Sequence, residues 1–430
     1  MEKNSKLRKQ SFLFLVSLIG IISAGAAIFG FYEASFFNTY LEHILDLDYI
    51  YISIMVSVSA TFGLVFILVF GILSDNTRSK YGRRRPFLLF GIIAGLSMFL
   101  FAFSPNFIWC FILDSIIIGI ASNAFYTAQR VLIPDLIEIE HRGRANGIVQ
   151  IFTLIGTVLP VGLTLLINEF YTIQTGNGSI ISQNGYIISL AFGGFFLIIV
   201  SILGFLLIKE KPISELPPKK RFFEDLKESF QYEELRANKD LFLIIIALTI
   251  FNIGIRMILP FAFNYFFSLG LPTLGLILGM SIILPVSLIL MLFLGKIADK
   301  YGRKRFLTPI ILVSSIGFVI IPFFFPNTVI NSIIYIIAVI LILIALIGIL
   351  IPLNAWQHDL LPESKRGQFI GILNIINTVS QIPGAIFGGL IADAFGIKWI
   401  FIFVPIFLIG AIPFFMMVKE TLPNKIEDHV

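Results

Sequence analysis

Charged residues are scarce in this 430-residue chain: they make up 13% of it, whereas soluble domains carry about 25%. Hydrophobic residues make up 57%, and 46 residues are Phe. A soluble core cannot bury so many large apolar side chains, so the composition predicts a protein whose solvent is lipid. The net charge of +5 does not indicate a nucleic-acid partner, because the basic residues lie in short segments between apolar runs.

Cysteine, histidine and nucleotide-binding motifs are also lacking. The single cysteine, Cys110, excludes an intrachain disulfide, and the four histidines are too scattered to predict a metal site. There is no G-x-x-x-x-G-K-[ST] loop and no constellation of catalytic residues, which argues against direct use of ATP and against an enzyme. No cofactor is expected.

Long apolar runs, in contrast, are abundant. A helix needs roughly 20 mostly apolar residues to cross the hydrocarbon layer, and the sequence predicts twelve such spans. We expect spans 1–6 at 12–38, 49–73, 86–104, 108–133, 146–168 and 187–208, and spans 7–12 at 241–268, 272–297, 306–325, 329–357, 368–391 and 397–418.

The basic residues alternate with these spans. All of the 31 Lys and Arg except Arg130, Arg256 and Lys398 fall in the terminal segments or in the even-numbered connections. Because positive charge concentrates on the cytoplasmic side of a membrane, this asymmetry places both termini in the cytoplasm. We therefore expect a multi-pass protein of the cytoplasmic membrane.

A loop signature occurs twice. G-x-x-x-D followed by Y-G-R-[RK]-R stands at Gly71–Asp75 with Tyr81–Arg85, and again at Gly295–Asp299 with Tyr301–Arg305. Three pairs are each 224 positions apart: Asp75 and Asp299, Asp135 and Asp359, and Arg142 and Arg366. Such a duplication in an apolar chain indicates a transporter built from two repeats.

The duplication also predicts the domains. Residues 1–208 and 241–430 would form two pseudo-symmetric six-helix bundles, joined by a polar linker at 209–240. Apolar positions at Phe223, Leu226, Phe230 and Leu235 favour a short amphipathic helix on the inner membrane surface, and a flexible tether is an equal alternative. The fold class is an all-α membrane protein of twelve transmembrane helices.

The doubled loop signature resembles that of the major facilitator superfamily. The first copy, D-N-T-R-S-K-Y-G-R-R-R-P at Asp75–Pro86, is similar to the glycoside–pentoside–hexuronide:cation symporters and the related sucrose-type carriers, as are Ile133–Leu136 and Arg142–Gly147. The resemblance implies the major facilitator fold and transport by alternating access.

The acidic and basic residues of these loops suggest a physical role. A carboxylate is favoured near the start of a helix, and arginines pair bidentately with carboxylates. The resemblance implies that these loops are cytoplasmic latches, whereas the alternative is that the arginines only anchor the loops to anionic headgroups. The predicted gating residues are Gly71, Asp75, Gly82, Arg83, Arg85, Asp135 and Arg142, and in the second copy Gly295, Asp299, Gly302, Arg303, Arg305, Asp359 and Arg366.

An ionisable group inside a span costs about 2.5–3.5 kcal/mol and usually has a function, and three charges are the best candidates for one: Glu33, Asp114 and Arg256. Phe29–Glu33 resembles the span 1 motif of proton-linked sugar porters, in which the acid responds to an arginine on span 4. Ser115 occupies that arginine's position here, with Asp114 beside it. Our hypothesis is that Glu33 or Asp114 exchanges a proton tuned by Arg256, and the alternative is a static Asp114–Arg256 bridge.

Sodium is the rival coupling ion. The melibiose-type carriers that the loop resembles use acids on spans 2 and 4, and span 2 of this chain has none. The coupling ion is therefore expected to be H+ rather than Na+.

Polar stripes follow the repeat. Span 5 carries Gln150, Thr153 and Thr157, and span 11 carries Asn374, Asn377 and Gln381 at matched positions. At about 100° per residue each stripe covers one helix face, which favours cavity walls over polar contacts between helices. With Ser122, Gln129, Asn252 and Asn264 on spans 4 and 7, these residues and the three charges form the predicted cavity.

The expected function is a cation-coupled symporter of a small polar solute, with a sugar or glycoside favoured. An exporter or flippase of amphipathic molecules, such as lipid-like compounds or drugs, is the alternative that the Phe-rich spans suggest, and a non-transporting sensor is a third. The expected partners are a small-molecule substrate and the lipid bilayer, and the protein is expected to be a monomer.

Overall fold

A computed structural model describes residues 12–176, 178–210, 239–301, 303–344, 375–376 and 378–420, and single positions between 346 and 356. Over these residues the regular secondary structure is helical, apart from one short pair of β-strands. Several side chains between 284 and 305 lie outside this description. The predicted amphipathic helix of the linker also lies outside the described residues.

Clusters of contacting residues divide the chain into two compact units. Unit 1 takes the described residues of Met1–Asp46, Thr61–Ile173 and Ile180–Leu226, and unit 2 takes those of Leu47–Ala60, Gln174–Ser179 and Lys227–Val430. Two short segments from the first half of the sequence thus belong to unit 2.

The helices of the first half follow the predicted spans closely. Span 4 is not one α-helix. It runs as a helix at Phe107–Phe111, a π-helical segment at Ile112–Ile118 and a helix at Gly119–Arg130, and it ends with a short helix at Leu132–Leu136. The elements are α1 (Phe12–His43), α2 (Tyr49–Asn76), α3 (Arg85–Leu88), α4 (Phe90–Phe101), α5 (Phe107–Phe111), α6 (Gly119–Arg130), α7 (Leu132–Leu136), α8 (Arg142–Phe170), β1 (Thr172–Thr175), β2 (Gly178–Ile181) and α9 (Gln183–Leu207).

In the second half, span 7 breaks at Pro260. Its α-helix gives way to a 3-10 turn at Leu259–Phe261, because proline has no N–H to donate to the preceding turn. The elements are α10 (Lys239–Ile258), α11 (Ala262–Ser268), α12 (Thr273–Tyr301), α13 (Arg303–Ile320), α14 (Val329–Leu343), α15 (Gln381–Phe395) and α16 (Ile400–Met417).

Among the described residues, eight helices are long and apolar enough to cross a membrane, and shorter apolar helices lie at Arg85–Phe101, Thr273–Ile283, Val329–Leu343 and Gln381–Phe395. The all-helical membrane class is confirmed. The number of twelve spans and the cytoplasmic termini stay predictions.

Small residues let the helices of unit 1 approach closely. A Cβ added at Gly156 of α8 would lie 2.5 Å from the Ala24 carbonyl oxygen of α1, and one at Gly25 would lie 2.5 Å from the Val200 side chain of α9. Such contacts are typical of membrane helices, in which packing replaces the hydrophobic effect. Helix α1 is therefore held between α8 and α9. In unit 2, α10 packs against α15 and α16.

Candidate functional site

The loop between α2 and α3 turns sharply at Gly82. Its φ of 113° lies in the region that favours glycine, and its N–H donates to the Ser79 carbonyl oxygen at 3.0 Å. The turn places Arg83, Arg84 and Arg85 at the start of α3.

Glu210, just beyond the end of α9, binds the start of α3. Its carboxylate accepts the backbone N–H groups of Arg83 at 2.9 Å, Arg84 at 2.9 Å and Arg85 at 2.8 Å. The first N–H groups of a helix have no partner inside the helix, and the helix dipole favours an anion there. Glu210 was missing from the predicted site.

Arg84 lies at the centre of this cluster, although the sequence analysis selected its neighbours. It is 4% exposed, its Nε donates to Asp135 Oδ2 at 2.9 Å, and its guanidinium also binds Asp75 and Ser74. Arg83 Nη2 pairs with Asp135 Oδ1 at 2.7 Å. The predicted acids Asp75 and Asp135 are thus joined through one arginine. We call Asp75, Arg83, Arg84, Asp135 and Glu210 the loop cluster.

The other predicted residues of the first copy have different partners. Arg85 Nε donates to the Phe205 carbonyl oxygen of α9 at 2.6 Å. Arg142 donates to the carbonyl oxygens of Ile137 at 3.1 Å and Pro134 at 2.6 Å, where a cation stabilises the end of α7. Gly71 lies in α2, and among the described residues no atom beyond its chain neighbours and its own helix backbone lies within 4 Å of a Cβ added there.

Part of the second copy follows the same plan. Lys304, near the start of α13, donates its N–H to Glu420 Oε2 at 2.9 Å, and its Nζ donates to the Val418 carbonyl oxygen at 2.9 Å. Ile208-Lys209-Glu210 and Val418-Lys419-Glu420 are matching tripeptides after the last span of each half. This repeated tripeptide is the sequence signal for the two glutamates. Gly295 lies in α12, whereas Gly302, Asp359, Arg366 and the side chains of Asp299, Arg303 and Arg305 lie outside the described residues.

Replacing Glu210 by Ala is expected to lower the thermal stability of the protein. Three N–H groups at the start of α3 would lose their acceptor, and a lost partner costs about 1–3 kcal/mol where water cannot replace it. The measurement is the melting temperature in detergent by size-exclusion chromatography after heating. Lys209→Ala is the matched control, and equal melting temperatures for the two variants would contradict the role assigned to Glu210.

Polar side chains line the contact between α1 and span 4, the span that includes α6. Gln129 Nε2 donates to Ser23 Oγ at 2.7 Å, and the Tyr126 hydroxyl donates to the Ala26 carbonyl oxygen at 3.4 Å. Further along the same face of α1, Glu33 interacts electrostatically with Asp114. The α1 positions are three or seven residues apart, so they share one helix face. We call Ser23, Glu33, Asp114, Tyr126 and Gln129 the polar seam.

Asp114 lies within the π-helical segment. It is 4% exposed, Glu33 is half-buried, and Ser122, two turns further along, is 3% exposed. π-helical turns are rare in proteins as a whole, and those that occur often lie at functional sites. Glu33, Asp114 and Gln129 of the predicted cavity thus all lie along the contact between α1 and span 4 in unit 1.

The polar stripe of span 5 lies on α8 beside the face that packs on α1. Gln150 and Thr157 are exposed and Thr153 is half-buried. Both threonines donate to carbonyl oxygens of their own helix, Thr153 to Val149 and Thr157 to Thr153, each at 3.0 Å. Their hydroxyl oxygens keep the capacity to accept a hydrogen bond.

In unit 2 the predicted residues lie on three helices. Arg256 and Asn252 are half-buried on α10, Asn264 is buried on α11, and Gln381 is half-buried on α15. A Cβ added at Gly384 would lie 2.6 Å from Arg256 Cβ, so α15 crosses α10 at Arg256 one turn after Gln381. Asn374 and Asn377 lie outside the described residues. Since Arg256 belongs to the other unit, its pairing with Glu33 or Asp114 stays a prediction.

A tyrosine pair was not foreseen. The side chain of Tyr265 on α11 interacts with that of Tyr335 on α14, and the centroid of the Tyr265 ring lies 4.8 Å from that of the Phe401 ring. The pair joins spans 7 and 10. Tyr335 lies in an otherwise apolar run, so only the structure reveals its partner.

Comparison with known proteins identifies the family. The model of the Major Facilitator Superfamily matches residues 16–382 and 267–428, and the chain therefore belongs to this superfamily of membrane transporters. This confirms the resemblance that the loop signature implied.

Individual relatives are more distant. The chain is 28% identical over 189 residues to the sucrose transport protein SUC4 of Arabidopsis thaliana, covering 40% of this chain and 36% of that protein. It is also 28% identical over 273 residues to the multi-drug resistance efflux pump PmrA of Streptococcus pneumoniae, covering 60% of this chain and 59% of the pump. The matched regions thus span about a third and three-fifths of these relatives.

Solved structures share the fold. A bacterial homolog of the human lysosomal transporter Spinster superposes with a TM-score of 0.73 at 14% identity, covering 94% of this chain and 96% of that one. A D-xylose-proton symporter superposes with a TM-score of 0.68 at 17% identity, covering 95% and 98%. At these identities the likeness defines the fold alone.

Proposed function

We propose that the protein is a secondary active transporter of a small polar solute, with a sugar or glycoside as the favoured class, coupled to protons and working by alternating access in the cell membrane. The observation that carries the proposal is the polar seam, in which two carboxyl groups, an amide and two hydroxyls follow one another along the contact between α1 and span 4. Ionisable groups at that depth usually serve a transport function.

Such a transport step needs a group that binds the proton and groups that bind the solute. Like charges in one site repel, so bound H+ stabilises the Glu33–Asp114 pair. Gln129, Tyr126 and the exposed Gln150 offer donors and acceptors suited to hydroxyl groups. The resemblance of Phe29–Glu33 to the motif of proton-linked sugar porters favours H+ over Na+. The loop cluster would then stabilise one conformation of the cycle.

Uptake into proteoliposomes tests the proposal. We expect a labelled sugar from a panel of mono- and disaccharides and glycosides to accumulate when the lumen is alkaline, and to equilibrate without accumulation when only a sodium gradient is imposed. Accumulation that follows sodium and ignores pH would contradict proton coupling.

Export of amphipathic molecules is the second candidate. The match to PmrA covers more of this chain than the match to SUC4 does, and PmrA is named as a drug efflux pump. Proton-driven efflux of a lipophilic cation such as ethidium, without uptake of any sugar of the panel, would favour this candidate. Binding of a sugar without uptake would favour a sensor.

A further inference from the structure

Two segments of the first half of the sequence contact the helices of the second half within unit 2. They are the start of α2, in Leu47–Ala60, and the tip of the β1–β2 hairpin, in Gln174–Ser179. Each lies at the end of a span that is opposite to the Arg-rich loops. The positive-inside pattern predicts that this is the external side.

The start of α2 is capped by a residue of α15. Asp393 Oδ1 accepts the N–H of Tyr49 at 2.7 Å, and Asp393 Oδ2 accepts the N–H of Ile50 at 2.9 Å. One carboxylate thus satisfies two of the N–H groups that a helix start leaves free, and its charge is favoured there by the helix dipole. Asp393 is exposed, so water can replace these bonds when the helices part.

Small and polar contacts continue along the same two helices. Ser53 Oγ donates to the Ala385 carbonyl oxygen at 2.7 Å, and Ser57 Oγ donates to the Ile382 carbonyl oxygen at 3.4 Å. A Cβ added at Gly389 would lie 3.0 Å from the Tyr49 carbonyl oxygen. These contacts join hydroxyls to backbone oxygens, and water can take the place of either partner when the two helices part.

The hairpin tip makes a second contact of this kind. Ser179 Oγ donates to the Phe267 carbonyl oxygen at 3.1 Å, and a Cβ added at Gly178 would lie 2.6 Å from the Ser268 carbonyl oxygen. The tip therefore lies directly on the backbone at the end of α11. Gly178 has a φ of 126°, which also favours glycine.

The base of the hairpin is held within unit 1. The N–H of Ile181 donates to His43 Nδ1 at 3.1 Å, and the Tyr186 hydroxyl lies 3.0 Å from the same nitrogen. His43 ends α1 and Tyr186 lies on α9. The hairpin is thus fixed at its base to the first half of the chain, and its tip contacts α11.

We propose that these two contacts, Asp393 with Tyr49–Ser57 and Phe267–Ser268 with Gly178–Ser179, form an external clasp that closes in one conformation of the transport cycle and opens in the other. Both contacts include hydrogen bonds to backbone groups, and water can satisfy these groups after separation. The clasp rests on the alternating-access part of the proposed function, and it does not depend on the substrate or the coupling ion.

Thiol labelling tests the clasp. The reporter is Ser53→Cys in a Cys110→Ala background, purified in lipid nanodiscs and reacted with a water-soluble maleimide. Ser53 is 0% exposed, so its thiol reacts only when α2 leaves α15. We expect Asp393→Asn to raise the labelling rate about tenfold and Ser179→Ala to raise it about threefold, because each removes part of the clasp.

Matched controls separate the clasp from general loosening. Glu169→Gln removes an exposed acid and Ser281→Ala removes a hydroxyl that binds its own helix at Leu278, so both are expected to leave the rate unchanged. A second reporter, Ser314→Cys, is buried inside unit 2 and is expected to stay slow in every variant. An unchanged rate at Ser53→Cys in either clasp variant, or equally faster labelling at Ser314→Cys, would overturn the proposal. Because no solute is used, neither result depends on whether sugars are transported.

Discussion

Asp114→Asn and Glu33→Gln are each expected to abolish solute accumulation driven by a pH gradient while leaving exchange of the solute down its own gradient. A transporter that moves one proton with each solute can accumulate it up to about tenfold per pH unit, since one unit corresponds to about 1.4 kcal/mol. Without an exchangeable proton in the polar seam, the ratio of internal to external solute should fall to about one. Both acids are needed because their carboxyl groups interact with each other.

The measurement is accumulation in proteoliposomes with and without a pH gradient, beside counterflow of labelled solute. Glu169→Gln is the control, because this acid is exposed at the end of α8. Gradient-driven accumulation that survives in both seam variants would end the proposal that these acids couple transport to protons.

Arg84→Ala is expected to reduce transport by about tenfold or more and to lower the melting temperature. Arg84 is buried and binds Asp75 and Asp135 from two helix ends, and removing one member of a buried charge pair costs about 3–5 kcal/mol. Exposure of the Asp75 side chain places the expected loss at or below the lower end of that range. Arg84→Lys should recover only part of the activity, because an ammonium group cannot reproduce the planar fork of a guanidinium.

Arg78→Ala is the matched control, because Arg78 donates to carbonyl oxygens of its own turn, those of Asp75 and Thr77. The headgroup-anchor alternative gives a different pattern. If the arginines only bind anionic lipid, wild-type transport should fall in neutral vesicles, and Arg84→Ala should have no further effect there.

The parts of the structure that repeat were predictable from the sequence. Polar residues repeated in register, such as Asp75 with Asp299, indicated the family, because a charged signature in an apolar chain is conspicuous. Arg83 and Asp135, which pair in the structure, were both among the predicted gating residues. Arg84 did not, because three consecutive arginines carry the same chemistry and only the turn at Gly82 selects the one that is buried.

Other features leave little trace in a sequence. Glu210 and Glu420 are far in sequence from the helix starts whose N–H groups they bind, so their role depends on tertiary packing. The division of α2 between the units is not visible in a uniformly apolar run, because hydropathy does not identify the neighbouring helix. Asp393 was likewise not selected, since an acid at a span end is ordinarily solvated.

The π-helical segment at Ile112–Ile118 changes which positions of this span are equivalent to those of a straight helix. A π turn holds about one residue more than an α turn, so it rotates the residues before it by about 100° relative to those after it. Matching by residue count from Gly119 assigns Ser115 to the arginine position of the sugar porters, yet the side chain that interacts with Glu33 is Asp114. Allowing for the extra residue of the π turn, Asp114 rather than Ser115 takes that position, and deleting Ile116 would shift Asp114 out of phase with Gln129.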